Sequence, residues 1–226
     1  MNIKCASFFA GVGGIDKGFE LAGFETIYAN EIDKYASKTF NANFSSVKLD
    51  TCDIKDLDEN VDIPDFNILL GGFPCQAFSV AGYRQGFNDK KGRGNLFFDL
   101  IRIIKAKQPE VVFLENVKNL IGHDNGNTFD IINRSLELEG YYVKAMVLNT
   151  SQYGNLPQTR ERIYLVCFKD KKQYHKFCFP KPIKLDKTLK DLIDFDSKQD
   201  EKFYYREGKC KFYDKLKEGV VNSNTC

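Results

Sequence analysis

IKCASFFAGVGG, residues 3–14, is a short apolar run that breaks into the glycine cluster Gly11, Gly13 and Gly14. A run of that length closed by glycines reads as a strand ending in a tight turn. The residues after it, from Ile15 to about Ala22 with Gly23 as a stop, read as a helix. A strand that feeds a helix through glycines opens an α/β sheet. The turn lets a ligand approach the backbone, and the helix start offers unpaired N–H groups. Alone, the turn serves equally as a plain tight turn. Its spacing is not GxGxxG, which disfavours a dinucleotide.

The same alternation continues outward from this unit. Further strands are predicted at Glu25–Asn30, 47–49, 66–70, 111–114, Tyr142–Leu148 and Arg162–Phe168. Helices are predicted from Asp33, a good N-cap, to about Phe40, over 95–107, and over 128–138. Strands alternating with amphipathic helices predict a doubly wound parallel sheet with helices on both faces. After Lys169 the chain turns lysine- and aspartate-rich with weaker periodicity, so a first domain over 1–169 and an extension over 170–226 are expected.

Bulk composition narrows the function classes. With 33 Lys+Arg against 31 Asp+Glu the formal charge is +2, so any nucleic-acid site must be a local basic patch rather than a global field. Seven scattered cysteines without CxxC spacing argue against a disulfide framework and a structural zinc site, and no metal is expected. Cys5 and Cys167 sit in strand patterns and are assigned to the core. The N-terminal apolar run is too short for a signal-peptide core, and no stretch approaches a membrane span. A soluble protein of the cytoplasm is expected.

Three features at successive strand ends describe a cofactor cradle. The turn Phe9-Ala10-Gly11-Val12-Gly13-Gly14 ends the first strand, Glu31 ends the second and Asp53 follows the third. A carboxylate placed like Glu31 accepts ribose hydroxyl hydrogens, and one placed like Asp53 accepts from an adenine amino group. Either acid alone reads as a solvated strand end; together they suit an adenosine-type cofactor. A second site opens after the fourth strand with Gly71-Gly72-Phe73-Pro74-Cys75-Gln76, while Glu115 ends the fifth strand beside it. A thiolate nucleophile at Cys75 needs a partner that handles the substrate proton, which Glu115 can supply. Arg160 and Arg162, two residues apart, share one side of an extended chain. They could bind a phosphate or a base carbonyl oxygen, or form a surface ion pair with Glu161 or another acid.

With these blocks assembled, the chain resembles the cytosine-5 DNA methyltransferase family of bacterial type. The blocks are FFAGVGG (8–14), ANEIDKYA (29–36), DTCDI (50–54), GGFPCQAFS (71–79), LENVKNL (114–120) and QTRERIYLVCF (158–168), in the family's order. The resemblance implies a Rossmann-like, S-adenosylmethionine-dependent methyltransferase sheet with an antiparallel final strand. It also implies roles. Phe9, Ala10, Gly11, Gly13 and Gly14 border S-adenosyl-L-methionine, whose product is S-adenosyl-L-homocysteine; Glu31 takes its ribose, Asp53 its adenine amino group, and Ile32 packs on the adenine ring. Pro74 and Cys75 form the nucleophile turn. Cys75 adds to cytosine carbon 6, Glu115 assists at ring nitrogen 3, Asn116 supports the loop, Arg162 meets the base carbonyl, and Arg160 lies near Cys75 or the phosphates. The base must be flipped out of double-stranded DNA to be reached. Residues 77–94, dotted with Gly82, Gly86, Gly92 and Gly94 and carrying Arg84, Lys90, Lys91 and Arg93, read as a lid over it.

The sequence lacks the family's late Gly-Asn block and closing helix. The expectation is therefore a subunit completed in trans by a polypeptide carrying the target-recognition region, or a truncated product, with little activity alone and an apolar patch favouring association. A restriction–modification role is the expected context. Rival readings are a tRNA cytosine-5 methyltransferase, which would share these blocks, a non-catalytic cofactor-binding module, and an NAD-dependent oxidoreductase, which the glycine spacing disfavours.

Overall fold

The computed structural model describes residues 3–74, 96–193 and 198. Cys75, the expected lid over 77–94 and most of the extension lie outside the described residues. The strands are β1 (Lys4–Phe8), β2 (Glu25–Asn30), β3 (Lys48–Asp50), β4 (Ile68–Gly71), β5 (Val111–Val117), β6 (Tyr142–Asn149) and β7 (Glu161–Phe168). Among the described residues they form one sheet in the order β3-β2-β1-β4-β5-β7-β6. β1 pairs parallel with β2 and β4, β2 with β3, and β4 with β5. β7 enters antiparallel between β5 and β6, the final strand reversed as the resemblance implied.

The helices are α1 (Gly14–Leu21), α2 (Lys34–Asn43), α3 (Leu96–Lys107), α4 (Asn127–Leu138), α5 (Thr150–Tyr153) and α6 (Lys171–Lys176). Alternate residues of a strand face opposite sides of the sheet, and the core divides accordingly. Ala6, Phe8, Leu69, Val112 and Leu114 pack with Phe97, Leu100, Ile103 and Ile104 of α3 and Ile132 and Leu136 of α4. Cys5, Ile68 and Leu70 pack with Ile15 and Phe19 of α1 on the other side, where the Phe19 ring stands edge-on to Phe113 at 5.1 Å. Both expected core cysteines, Cys5 and Cys167, are buried, whereas Cys52 and Cys178 are exposed.

The strand-to-helix order follows the sequence reading, with one consequential difference. β5 runs on through Glu115 and Asn116 to Val117, because β7 pairs with it over that whole length. Glu115 therefore lies in the ladder two residues before the end of the strand it was expected to close. Chain contacts group into two units, Met1–Leu185 and Asp186–Cys226. In the first, α6 follows β7, and Lys144 Nζ donates to the Phe177 carbonyl at 2.5 Å. In the second, Leu189–Asp191 forms a 3-10 turn capped by Thr188, whose N–H donates to Asp191 Oδ2 at 2.7 Å. No helix among the described residues is long and apolar enough to cross a membrane.

Gly13 is the N-cap of α1 at φ 88°, and a Cβ there would lie 2.2 Å from Phe44 Cε2 and 3.1 Å from Phe40 Cδ2. Gly14, one residue on, would meet nothing within 4 Å. Left-handed strain together with overpacking puts Gly13→Ala at a loss of about 2–4 kcal/mol. Gly14→Ala, at the first helical position, leaves stability within about 1 kcal/mol of the parent. Paired urea denaturation curves of the two variants check this contrast.

Candidate active site

The parallel strands all end at one edge of the sheet, and β7 begins there. The turn after β1 rises steeply: Phe9, Gly11 and Gly13 take positive φ of 55°, 58° and 88°. Ala10 N–H donates to the Asn30 carbonyl at 3.2 Å, and Gly13 N–H to the Ala10 carbonyl at 3.0 Å. Glu31, just past β2, secures this turn directly. Its Oε2 accepts the Gly11 N–H at 2.8 Å, while Oε1 accepts the Asp33 N–H at 2.7 Å. Each carboxylate oxygen has a further lone pair to offer. The sequence reading assigned Glu31 a ligand; the geometry adds that it first builds the loop.

Asp53 follows β3 and caps a 3-10 turn, Ile54–Asp56, by accepting the Lys55 N–H at 3.1 Å. That turn is held from α3 by Arg102, whose guanidinium donates to the carbonyls of Ile54 and Leu57, each at 2.8 Å. Asn30, the buried last residue of β2, donates from Nδ2 to the carbonyls of Asp50 and Cys52 at 3.2 and 3.0 Å. Asn30 thus ties the segment leading to Asp53 to the Glu31 strand. It was not singled out in the sequence, although a polar residue closing the apolar run Ile27-Tyr28-Ala29 is the signal that marks it.

Space in front of the cradle suits an adenosine-type cofactor. A Cβ at Gly11 or Gly14 would meet no atom within 4 Å, and Ile32, beside Glu31, leaves 61% of its surface exposed. Open backbone, an exposed aliphatic side chain and a carboxylate with spare lone pairs lie along one rim. Beneath it, fully buried Asp16 of α1 accepts the Ser7 hydroxyl at 3.0 Å. Burial pushes the Asp16 carboxyl above the usual carboxylate range, and the Ser7 hydrogen bond only partly opposes it.

The second half of the site lies along β4, β5 and β7. Gly72, Phe73 and exposed Pro74 follow β4 and lead to Cys75. Asn116 fixes this approach from a buried position: Nδ2 donates to the Phe73 carbonyl at 2.8 Å, and Oδ1 accepts the Val117 N–H at 2.8 Å. On the opposite side of β5, Glu115 Oε1 meets Arg162 Nε of β7 at 3.0 Å. Burial pushes the Glu115 carboxyl up, and the guanidinium charges of Arg162 and Arg160 work against it. Glu161, weighed above as a partner for the arginines, instead binds Lys118, with Nζ 3.0 and 2.9 Å from its two oxygens. Arg162 pairs with Glu115 and also donates from Nη1 to the Glu161 carbonyl at 2.8 Å, while Arg160 is exposed. Among the described residues, the expected site residues thus fall on one sheet edge in two groups. One is the Gly11–Glu31 cradle, the other the Glu115–Arg162 pair.

The family model described as C-5 cytosine-specific DNA methylase matches residues 3–225 of the chain. The chain is 54% identical over 224 residues to the Type II methyltransferase M.Bsp6I of Bacillus sp. strain RFL6, covering 99% of this chain and 70% of the relative. It is 45% identical over 196 residues to the Type II methyltransferase M.HhaI of Haemophilus parahaemolyticus, covering 87% of this chain and 58% of that one. The fold is also that of a DNMT2 mutant from Spodoptera frugiperda, with a TM-score of 0.68 at 23% identity over 89% of this chain and 62% of that chain.

The Asn116 amide answers a carbonyl that water does not reach. Asn116→Ala removes a buried hydrogen bond to the Phe73 carbonyl and is expected to cost about 1–3 kcal/mol. Thermal unfolding of the variant beside the parent measures it.

Proposed function

The chain belongs to the C-5 cytosine-specific DNA methylase family, and from that premise we propose that it methylates carbon 5 of a flipped-out cytosine in double-stranded DNA. The methyl donor is S-adenosyl-L-methionine, and the setting is restriction–modification. The observation that carries the reading is the half-buried Glu115 carboxyl, paired with Arg162 on the sheet edge that also bears the Gly11–Glu31 cradle.

S-adenosyl-L-methionine bound along Gly11–Gly14, Glu31, Ile32 and Asp53 would supply an electrophilic sulfonium methyl group. The protein's own residues do the rest. Cytosine carbon 5 is a weak nucleophile, and covalent addition divides the difficult step in two. The Cys75 thiolate forms a bond to carbon 6, and the electron pair displaced from the 5,6 double bond makes carbon 5 nucleophilic. Glu115 hydrogen-bonds or protonates ring nitrogen 3 as that charge builds, and Arg162 holds the neighbouring carbonyl oxygen. After methyl transfer, loss of the carbon 5 proton restores the double bond and expels the thiolate. Pro74, tethered through the Phe73–Asn116 hydrogen bond, sets the direction in which the chain enters Cys75.

Burial suits Glu115 to the acid role. A carboxyl held above its usual range keeps more of its protonated form as pH rises. The rate is expected to fall as pH climbs through that raised value, and Glu115→Gln removes this limb.

The test is methyl transfer from labelled S-adenosylmethionine to mixed-sequence duplex DNA and, in parallel, to tRNA. Transfer to the duplex that is abolished in Cys75→Ser supports the reading, and Glu115→Gln should slow it about 100-fold or more. A duplex containing 5-fluorocytosine should trap the parent protein covalently, because fluorine cannot leave carbon 5 as a cation. Cofactor binding with no transfer and no trapped adduct would reduce the chain to a cofactor-binding module. Transfer to tRNA alone would move the substrate to RNA.

A further inference from the structure

Arg160 lies just outside the last β6–β7 pair, Asn149↔Glu161, in the turn formed by residues 150–160. That turn contains α5, whose N-cap Asn149 accepts the Ser151 N–H at 3.1 Å, and Asn155 at a left-handed φ of 51°. It then tightens around Pro157, where the Gln158 N–H donates to the Leu156 carbonyl at 2.7 Å. Nothing in the strand ladder itself fixes the backbone on which Arg160 stands.

Thr150 does. Its N–H donates to the Arg160 carbonyl at 3.1 Å, and its hydroxyl accepts the Arg160 N–H at 3.2 Å. The same hydroxyl donates to the Gln158 carbonyl at 2.5 Å. Both backbone polar groups of Arg160 therefore close on one residue across the turn, and the hydroxyl works as acceptor and donor at once. We propose that Thr150 is a positioning residue for this site: its hydroxyl clasps Gln158 and Arg160 across the turn and fixes the backbone from which the Arg160 side chain leaves. The part of the inference that concerns DNA rests on the methyltransferase reading; the clasp does not.

The charge of Arg160 is one of two that restrain the upward shift of the Glu115 carboxyl. This gives the clasp a signature that a purely structural hydrogen bond lacks. If the hydroxyl is lost, Arg160 drifts, its average field at Glu115 weakens, and the carboxyl titrates at higher pH. The sign follows from charge alone, since a receding cation disfavours the carboxylate.

The experiment is a carbon-13 NMR titration of the Glu115 carboxyl in the full chain. The variants are Thr150→Val, Thr150→Ser, Arg160→Gln and the double variant of Thr150→Val with Arg160→Gln. Thr150→Val should raise the Glu115 midpoint, Thr150→Ser should restore it to the parent value, and Arg160→Gln should raise it further. The double variant should titrate like Arg160→Gln alone, because the clasp acts through that side chain. A parent-like titration in folded Thr150→Val, or a shift that adds in full to that of Arg160→Gln, overturns the proposal. Should Thr150→Val fail to fold, Thr150→Ala is read by the same titration and the same criteria. In methyl-transfer assays Thr150→Val should raise KM for duplex DNA three- to tenfold while moving KM for S-adenosylmethionine less than twofold. A parent protein that transfers no methyl group would defeat the catalytic reading, while the titration would still decide the clasp.

Discussion

β7 enters the sheet antiparallel, and that single reversal decides where the charges of the site meet. Parallel strands deliver their last residues to the carboxyl edge of a sheet; only a reversed strand delivers its first. The register places Glu115 opposite Tyr164 and Val117 opposite Arg162. Glu115 and Arg162 are therefore diagonal neighbours on one face, close enough for their 3.0 Å ion pair. A slip of one residue would turn Arg162 to the other face and leave a half-buried carboxylate without its cation. Buried Ile163, Leu165 and Cys167 on that other face resist such a slip, because it would expose them.

Three acids near this edge show how environment divides labour among identical groups. Glu31 accepts two backbone N–H groups and serves as a fixed corner of the loop. Glu115 is pushed up by desolvation while two guanidinium charges pull the other way. Asp16 is buried and accepts from the Ser7 hydroxyl, and desolvation dominates there. The first arrangement suits architecture, the second proton handling, and the third the joining of α1 to β1.

Much of this was legible in the sequence because it is local. A glycine turn after an apolar run, acids at strand ends and a proline beside a cysteine each announce a backbone geometry within a few residues. The reversed strand followed from the resemblance rather than from periodicity, since alternation reads the same in either direction. Side-chain bonds spanning several elements escaped. Asn30 reaches carbonyls 20 and 22 residues away, Arg102 reaches back 45 and 48, and Lys118 finds Glu161 across 43. Thr150 escaped for another reason: its partners are near in sequence, but only the path of the turn brings them opposite it. Glu115 sits two residues inside the strand end expected for it because β5 is lengthened by β7, a partner that a single-strand pattern does not contain.

The floor of the turn after β1 is aromatic. Phe40 and Phe44 of the α2 region stack at 4.8 Å, and Phe44 stands directly where Gly13 has no side chain. Open backbone and hydrophobic core are here two sides of one turn. A ligand that settles on the turn therefore also clamps the packing beneath it, and by mass action it raises resistance to unfolding of this half of the sheet. The converse holds for heat or denaturant. Loosening the Phe40–Phe44 stack removes the packing beneath Gly13, so what weakens that stack also weakens the turn above it.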